Sequence, residues 1–228
     1  MSLTSLASDQ RFPKLIWQSH SSWEDLPEGC QPGVYSWFSR NPEWNHQFCT
    51  EALVLEFLGA FCPREIRDLF ARLQSPGMKL DLWRYAILHE FGGVCSDIYT
   101  VCREPLDDWL NVEEGKGLHV ACANNTPHFC HRMIAAAKGH PALALAIELI
   151  GERMAPNDGG IPWSPEAESY HTGADLWTSA VCRYLGREDE PMTLYHERSS
   201  FDGKDIEIHP CYFFDGVKVR CLSPSGPE

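Results

Sequence analysis

The sequence has no long hydrophobic run and no surplus of basic residues. No segment contains the roughly 18 unbroken apolar residues that a membrane-spanning helix needs. Residues 1–10 lack the basic start and the apolar run of a signal peptide. We therefore expect a cytoplasmic protein, or a soluble domain freed of an anchor. The net charge of −13 disfavours nucleic acid and anionic membranes as partners.

The ten cysteines include no C-x-x-C pair. In a cytosolic chain this pattern indicates reduced and mostly buried thiols rather than a disulfide framework. The stretch from His119 through Cys122, His128 and Cys130 to His131 contains ligand types that suit zinc. Its spacing fits no closed zinc motif, so we favour a strand followed by a helix there, with zinc as the weaker alternative.

The size and composition favour a single globular domain. The chain has 228 residues, of which 43% are hydrophobic, including eight tryptophans. No internal repeat or interdomain linker interrupts it. We predict a disordered N-terminus over 1–10, one domain over 11–222 and a loose tail over 223–228.

Strand-like and helix-like segments alternate along this domain. Buried strands are predicted at 14–17, 94–98, 118–123 and 206–208, with another near 217–219. Helices are predicted at 50–58, 63–73, 79–91, 129–137, 141–154 and 175–185. This alternation predicts the α/β class, with a mainly parallel sheet between layers of helices.

One segment is more informative than the rest. Residues 79–91 form an amphipathic pattern with Asp81 and Arg84 three positions apart, which places both on one helix face. Gly92 and Gly93 then allow a sharp turn into a short apolar strand that ends at Asp97. Open α/β sheets bind ligands at the carboxyl ends of their strands, so Asp97 is placed to meet one.

The spacing from Lys79 to Thr100 resembles the DXD-containing sugar-binding region of family 32 glycosyltransferases. Several other segments, found in the family's order, support the resemblance. They are residues 13–18, 41–51, 105–108, 139–141 and 172–178. The resemblance implies a GT-A fold, which is an α/β/α sandwich that binds a nucleotide sugar. It also implies retaining transfer of a hexose from a UDP- or GDP-sugar to an unknown hydroxyl acceptor, usually with Mn²⁺ or Mg²⁺.

The resemblance also assigns roles to residues. It makes Asp97, Asp81 and Arg84 the catalytic group and Asp97 the metal ligand. Donor contacts would come from the following residues: Trp17, Asp81, Arg84, Tyr85, Gly92, Gly93, Asp97 and Tyr99. The acceptor side would include Asn124, Thr172, Gly173 and Asp175.

Most of these positions also have a purely structural interpretation. Asp81 and Arg84 could form a surface ion pair, and the glycine pair could simply end a helix. Trp17 could belong to the core, Asn124 to a turn, and Asp175 to the first turn of a helix, an interpretation that we slightly favour for Asp175.

The chain departs from the family pattern in two places. Tyr99 stands where the family usually has the second aspartate of the motif, and a phenol with a pKa near ~10 is a poor metal ligand. We also find no late histidine that aligns with the one that often completes the family's metal site. An inactive GT-A scaffold that serves as a binding or regulatory subunit is therefore the alternative to an active transferase.

Overall fold

The computed structural model describes residues 12–113, 115–123, 126–155, 163–188, 199–201, 203–210 and 219–221. Its helices are α1 (Gln31–Arg40), α2 (Glu51–Phe61), α3 (Arg64–Arg72), α4 (Pro76–Phe91), α5 (Pro141–Met154), α6 (Pro165–His171) and α7 (Ala174–Leu185). Its strands are β1 (Leu15–Ser19), β2 (Asn45–Cys49), β3 (Gly93–Ser96), β4 (Thr100–Cys102), β5 (Leu118–Ala121), β6 (Met133–Ala136), β7 (Ser199–Ser200), β8 (Ile206–His209) and β9 (Val219–Cys221). The expectations for residues 1–10 and 223–228 fall outside these ranges. No described helix is both long and apolar enough to cross a membrane.

Seven of the strands form one sheet in the order β2-β1-β3-β6-β5-β8-β7, and β4 pairs with β9 in a small second sheet. Strand β1 is parallel to β2 and β3, and β5 is parallel to β8. Strand β6 is antiparallel to both β3 and β5, and β7 is antiparallel to β8. Strands β1, β2, β3, β5 and β8 therefore run in one direction and end at one edge. This confirms the predicted α/β class with a sheet dominated by parallel strands.

Each face of the main sheet carries its own apolar layer. Leu15 and Trp17 of β1 belong to the larger cluster, which includes core residues of α2, α4, α5 and α7. Ile16 belongs to the other cluster, together with Trp37 of α1. Successive residues of a strand point to opposite faces, so the two clusters lie on opposite sides of the sheet. The result is the expected sandwich, with helices on both faces.

Helix α4 is the central helix of the larger cluster, and local chemistry sets both of its ends. The Ser75 hydroxyl accepts hydrogen bonds from the Gly77 and Met78 amides at 3.1 and 3.4 Å, and Pro76 occupies the first turn. At the other end, Gly92 has φ +74° and Gly93 has φ +100°. A Cβ on Gly93 would lie 2.5 Å from the Leu15 carbonyl oxygen, so the turn into β3 requires glycine.

The helix predicted over 129–137 is wrong. Residues Met133–Ala136 form strand β6, which lies between β3 and β5 and pairs with both. The short run Met-Ile-Ala-Ala has alanines that favour a helix, but periodicity cannot separate a buried strand from a helix in so few residues. Tertiary pairing decided the outcome, because without β6 the strands β3 and β5 would each lack a partner on one side, at the centre of the sheet.

Candidate functional site

Asp97 directly follows β3, at the edge where the parallel strands end. Its amide donates to the Arg132 carbonyl oxygen at 2.8 Å, which ties it to the segment before β6. Its Oδ1 accepts from the Tyr99 amide at 2.9 Å, a local turn typical of aspartate. Its Oδ2 lies 3.7 Å from Arg84 Nη2, and 24% of the side chain is exposed. The carboxylate is therefore fixed in position and still reachable from solvent.

Asp81 and Arg84 of α4 form a buried ion pair on the inner side of Asp97. Arg84 Nη1 lies 2.6 Å from Asp81 Oδ1, and each side chain is only 7% exposed. The Thr172 hydroxyl donates to Asp81 Oδ2 at 3.0 Å. The interpretation of this pair as a surface ion pair is thus wrong, because the guanidinium lies between two carboxylates in the interior. Removing one partner of such a pair typically destabilises a protein by about 3–5 kcal/mol.

The electrostatics of the group follow from this burial. Burial raises the pKa of Asp81, while Arg84 and the Thr172 hydroxyl act in the opposite direction. Burial alone would lower the pKa of Arg84, but Asp81 and the other neighbouring groups raise it above its ordinary value. The net effect raises the pKa of Asp81 to about 7, and the 2.6 Å contact with the Arg84 guanidinium favours the ionised carboxylate.

His131 completes the group and was not assigned to it from the sequence. Its Nε2 lies 3.8 Å from Asp81 Oδ1, and its side chain is 24% exposed. Burial lowers the pKa of His131 well below its ordinary value, and Arg84 and Arg132 add to the effect. The imidazole is therefore neutral near pH 7. Only the turn between β5 and β6 brings it to α4, so sequence spacing could not have revealed the contact.

Four residues predicted to contact a donor lie in the core instead. Trp17 is fully buried, and its indole N–H donates to the Gly92 carbonyl oxygen at 2.9 Å. Tyr85 is also fully buried, and its hydroxyl donates to the Thr172 carbonyl oxygen at 2.8 Å. Gly92 and Gly93 precede β3, whereas Asp97 follows it about 13 Å further along the strand. Their burial and position argue against direct contacts with a donor at the strand ends, and the donor roles of all four stay predictions.

The residues expected on the acceptor side have mixed outcomes. Thr172 is fully buried and orients Asp81, so it offers no surface to an acceptor. Gly173 packs against α6, where a Cβ would lie 3.0 Å from Ser169 Cα. Asp175 lies in the first turn of α7 with its Oδ1 2.8 Å from Arg153 Nη1, and its side chain is 42% exposed, so its acceptor role stays a prediction. Asn124 lies outside the described residues.

A divalent ion does not fit the residues described around Asp97. Tyr99 packs against the small cluster of Leu26, Cys30, Val34 and Ile98, and burial raises the pKa of its phenol. The Arg84 guanidinium next to Asp97 would also repel a cation. Within the described ranges, just one group of three or more potential metal ligands occurs, and it comprises His119, Glu207 and His209.

The zinc cluster considered from the sequence is not assembled. His119 contacts Glu207, whereas His128 Nε2 lies 4.0 Å from Asp175 Oδ2 and His131 faces Asp81. The strand pairing around β5 and β6 separates these side chains, so residues close together in the sequence do not form one cluster in the structure.

A surface cavity of about 410 Å³ lies between α5 and α7, and Arg153 and Glu188 are among its lining residues. Its lining does not include Asp81, Arg84 or Asp97. This cavity is therefore not the candidate site, which is defined by the side chains at the strand ends.

Comparison with known proteins shows which class this fold and site resemble. The solved structure of the PaToxG glycosyltransferase superposes with a TM-score of 0.54 at 15% identity, covering 77% of this chain and 70% of that one. The shared architecture is the GT-A fold, as predicted. Residues 27–116 match the family model described as a glycosyltransferase sugar-binding region containing a DXD motif.

Curated relatives agree with this class. The initiation-specific alpha-1,6-mannosyltransferase of Schizosaccharomyces pombe is 27% identical over 204 residues, covering 80% of this chain and 51% of the relative. The Candida albicans enzyme of the same name is 28% identical over 217 residues, covering 76% and 53%. The chain is glycosyltransferase family 32-like. It spans about half the length of these relatives.

Proposed function

We propose that the chain transfers a hexose from a nucleoside-diphosphate sugar to a hydroxyl acceptor. The observation that carries this proposal is the position of Arg84, whose guanidinium lies between the Asp81 and Asp97 carboxylates at the sheet edge used for ligands. The names of the relatives favour mannose as the sugar. UDP and GDP remain equal candidates for the nucleotide.

The burial of each side chain separates direct donor contacts from supporting ones. Asp97 and His131 form the reachable edge of the group, and Asp81 and Arg84 lie behind them. In our proposal Asp97 accepts hydrogen bonds from donor hydroxyls, and neutral His131 offers one further polar contact. Arg84 holds Asp97 in place and supplies positive charge near the diphosphate, whereas Asp81 and Thr172 position Arg84.

We infer a retaining reaction from the family resemblance. The bond between the anomeric carbon and the phosphate oxygen breaks, and the acceptor oxygen bonds to the same face of the sugar. The acceptor proton passes to the departing phosphate oxygen. No protein nucleophile is then required.

The family's Mn²⁺ or Mg²⁺ would stabilise the diphosphate leaving group when bound. Asp97 is the partly exposed carboxylate of the group, whereas Asp81 is buried against Arg84, and we derive no step that depends on the ion. We expect nucleotide affinity to change little when Mn²⁺ is replaced by a chelator, and calorimetric titration with UDP and with GDP tests this expectation.

Asp97→Asn is the sharpest test of the site. It keeps the volume of the side chain and its exposed position but removes the charge. We expect donor affinity or turnover to fall at least tenfold, which corresponds to about 1.4 kcal/mol. Transfer and hydrolysis of GDP-mannose and UDP-glucose provide the assay. Asp68→Asn is the matched control, because Asp68 is 67% exposed and forms only a surface ion pair with Arg64.

Arg84→Ala is a weaker test than the sequence suggested. The sequence predicts loss of transfer with folding intact, but Arg84 is buried and its loss would leave Asp81 without its countercharge.

Full activity in Asp97→Asn would exclude this site. If the unaltered chain binds neither nucleotide nor nucleotide sugar, the inactive scaffold becomes the better explanation.

A further inference from the structure

A second group of polar side chains lies on β5 and β8, away from the candidate transferase site. In the parallel pairing of these strands His119 is opposite Glu207 and Ala121 is opposite His209. His119 Nδ1 lies 3.2 Å from His209 Nε2 and 3.4 Å from Glu207 Oε2. All three residues are buried, with exposures of 1%, 6% and 1% for His119, Glu207 and His209.

These side chains lie on the face of the sheet that points away from α4. Leu118, Val120, Ile206 and Ile208 belong to the cluster that contains core residues of α4. The alternate residues of both strands point to the other face, where Ala121 joins the second cluster. Strand β6 also separates β5 from β3, the strand that precedes Asp97. The group is therefore separate from the proposed transferase site.

The hydrogen bonding of His119 resembles that of a metal-bound histidine. Its Nε2 lies 3.0 Å from the Lys116 carbonyl oxygen, and a carbonyl can only accept, so Nε2 carries a proton. In the neutral ring, Nδ1 is then an acceptor that faces both His209 and Glu207. A backbone carbonyl that fixes the tautomer in this way is the usual outer partner of a histidine ligand.

The spacing of the three ligand atoms also suits a metal. Glu207 Oε2 lies 3.4 Å from His119 Nδ1, and either a proton or a metal ion between the two atoms would stabilise this arrangement. Bonds of about 2.1 Å in tetrahedral geometry place two ligand atoms about 3.4 Å apart. The observed separations of 3.2 and 3.4 Å match this value.

We propose that His119, Glu207 and His209 bind one zinc-type divalent cation. Two imidazoles and one carboxylate form a ligand set that zinc accepts, and a fourth position stays open for water or another group. The ion would link β8 to β5 and fix the late part of the chain to the central sheet. The site lies on the opposite face from Asp81 and Arg84, so we assign the ion no part in the transfer reaction.

The test is metal titration of the full chain after treatment with a chelator and in the presence of a phosphine reductant. We expect one Co²⁺ per chain, with the visible bands of a tetrahedral site. Sulfur-to-cobalt charge transfer in the near ultraviolet should be absent, which excludes the cysteines as ligands. Zn²⁺ should displace the cobalt and raise the melting temperature.

Variants locate the site independently. Glu207→Gln and His209→Gln should each weaken Zn²⁺ binding at least about tenfold. His20→Gln should bind as the unaltered chain does, because His20 lies in the loop after β1 and contacts the Asp25 carbonyl oxygen. The proposal is overturned if the unaltered chain takes up no stoichiometric metal, if a sulfur band appears, or if both variants bind normally. A proton shared among the three residues would then explain their contacts.

Discussion

Replacement of Thr172 by valine tests whether the site is held together as the structure indicates. Valine keeps the shape of threonine and removes only the hydroxyl, which donates to Asp81 Oδ2 at 3.0 Å and lies 3.3 Å from the Glu168 carbonyl oxygen. The hydroxyl has one proton, so its main contribution is a single hydrogen bond to a charged group. Such bonds contribute about 1.5–3 kcal/mol.

We therefore expect Thr172→Val to lower the free energy of unfolding by about 2 kcal/mol. With an m-value near 3 kcal/mol/M in urea, the unfolding midpoint would fall by about 0.7 M. Thr172→Ser is the matched control, because it keeps the hydroxyl and loses one buried methyl group, at a cost of about 1 kcal/mol. Donor affinity should fall in the valine variant and remain near normal in the serine variant.

A double-mutant cycle with Asp81→Asn separates the hydrogen bond from general packing. Residues in direct contact typically show coupling energies of about 0.5–3 kcal/mol. We expect a value in the upper half of this range, because the acceptor is a buried carboxylate that is also paired with Arg84. Coupling near zero, or a serine variant as unstable as the valine variant, would refute the positioning role of Thr172.

Three other changes test the fold and the motif. Gly93→Ala should lower the melting temperature steeply or prevent folding, because φ is +100° and the new Cβ would lie 2.5 Å from the Leu15 carbonyl oxygen. Circular dichroism during heating measures the melting temperature. Burial lowers the pKa of His46 from 6.5 to about 4, so the unfolded chain binds more protons and stability falls as the pH drops from 6.5 towards 4. Urea midpoints across this range should show a smaller loss in His46→Gln, and an equal loss would contradict the reasoning. Tyr99→Asp adds a second carboxylate beside Asp97, so calorimetry should show Mn²⁺-dependent nucleotide binding that the unaltered chain lacks.

The segment from Lys79 to Thr100 determined most of what could be predicted. Its helix, glycine turn and short strand appear in the structure as α4, the Gly92–Gly93 turn and β3. Local signals were sufficient there, because hydrophobic periodicity and two adjacent glycines act on the residues next to them in the chain. The same segment carried the resemblance that the family match and the curated relatives confirm.

The assignment of functional residues was less predictable, because burial is a property of the whole fold. Trp17 and Tyr85 occupy family motif positions, but packing against α4, β3 and α7 removes them from solvent. The family resemblance suggested Thr172 as an acceptor residue, but in the structure its hydroxyl donates a hydrogen bond to Asp81. The roles of Asp81, Arg84 and Asp97 in catalysis stay predictions, although the structure brings all three together.

Sequence patterns were enough to predict the α/β class, the glycosyltransferase resemblance and the position of Asp97 at a strand end, because these patterns extend over residues close together in the chain. The packing of the whole chain was needed to show that residues 133–136 form a central strand and that His131 reaches Asp81. It alone brought His119 together with Glu207 and His209, about 90 residues later in the chain. Strand order and side-chain burial depend on pairing between strands that are far apart in the chain. The packing of the whole sheet decides which strands pair.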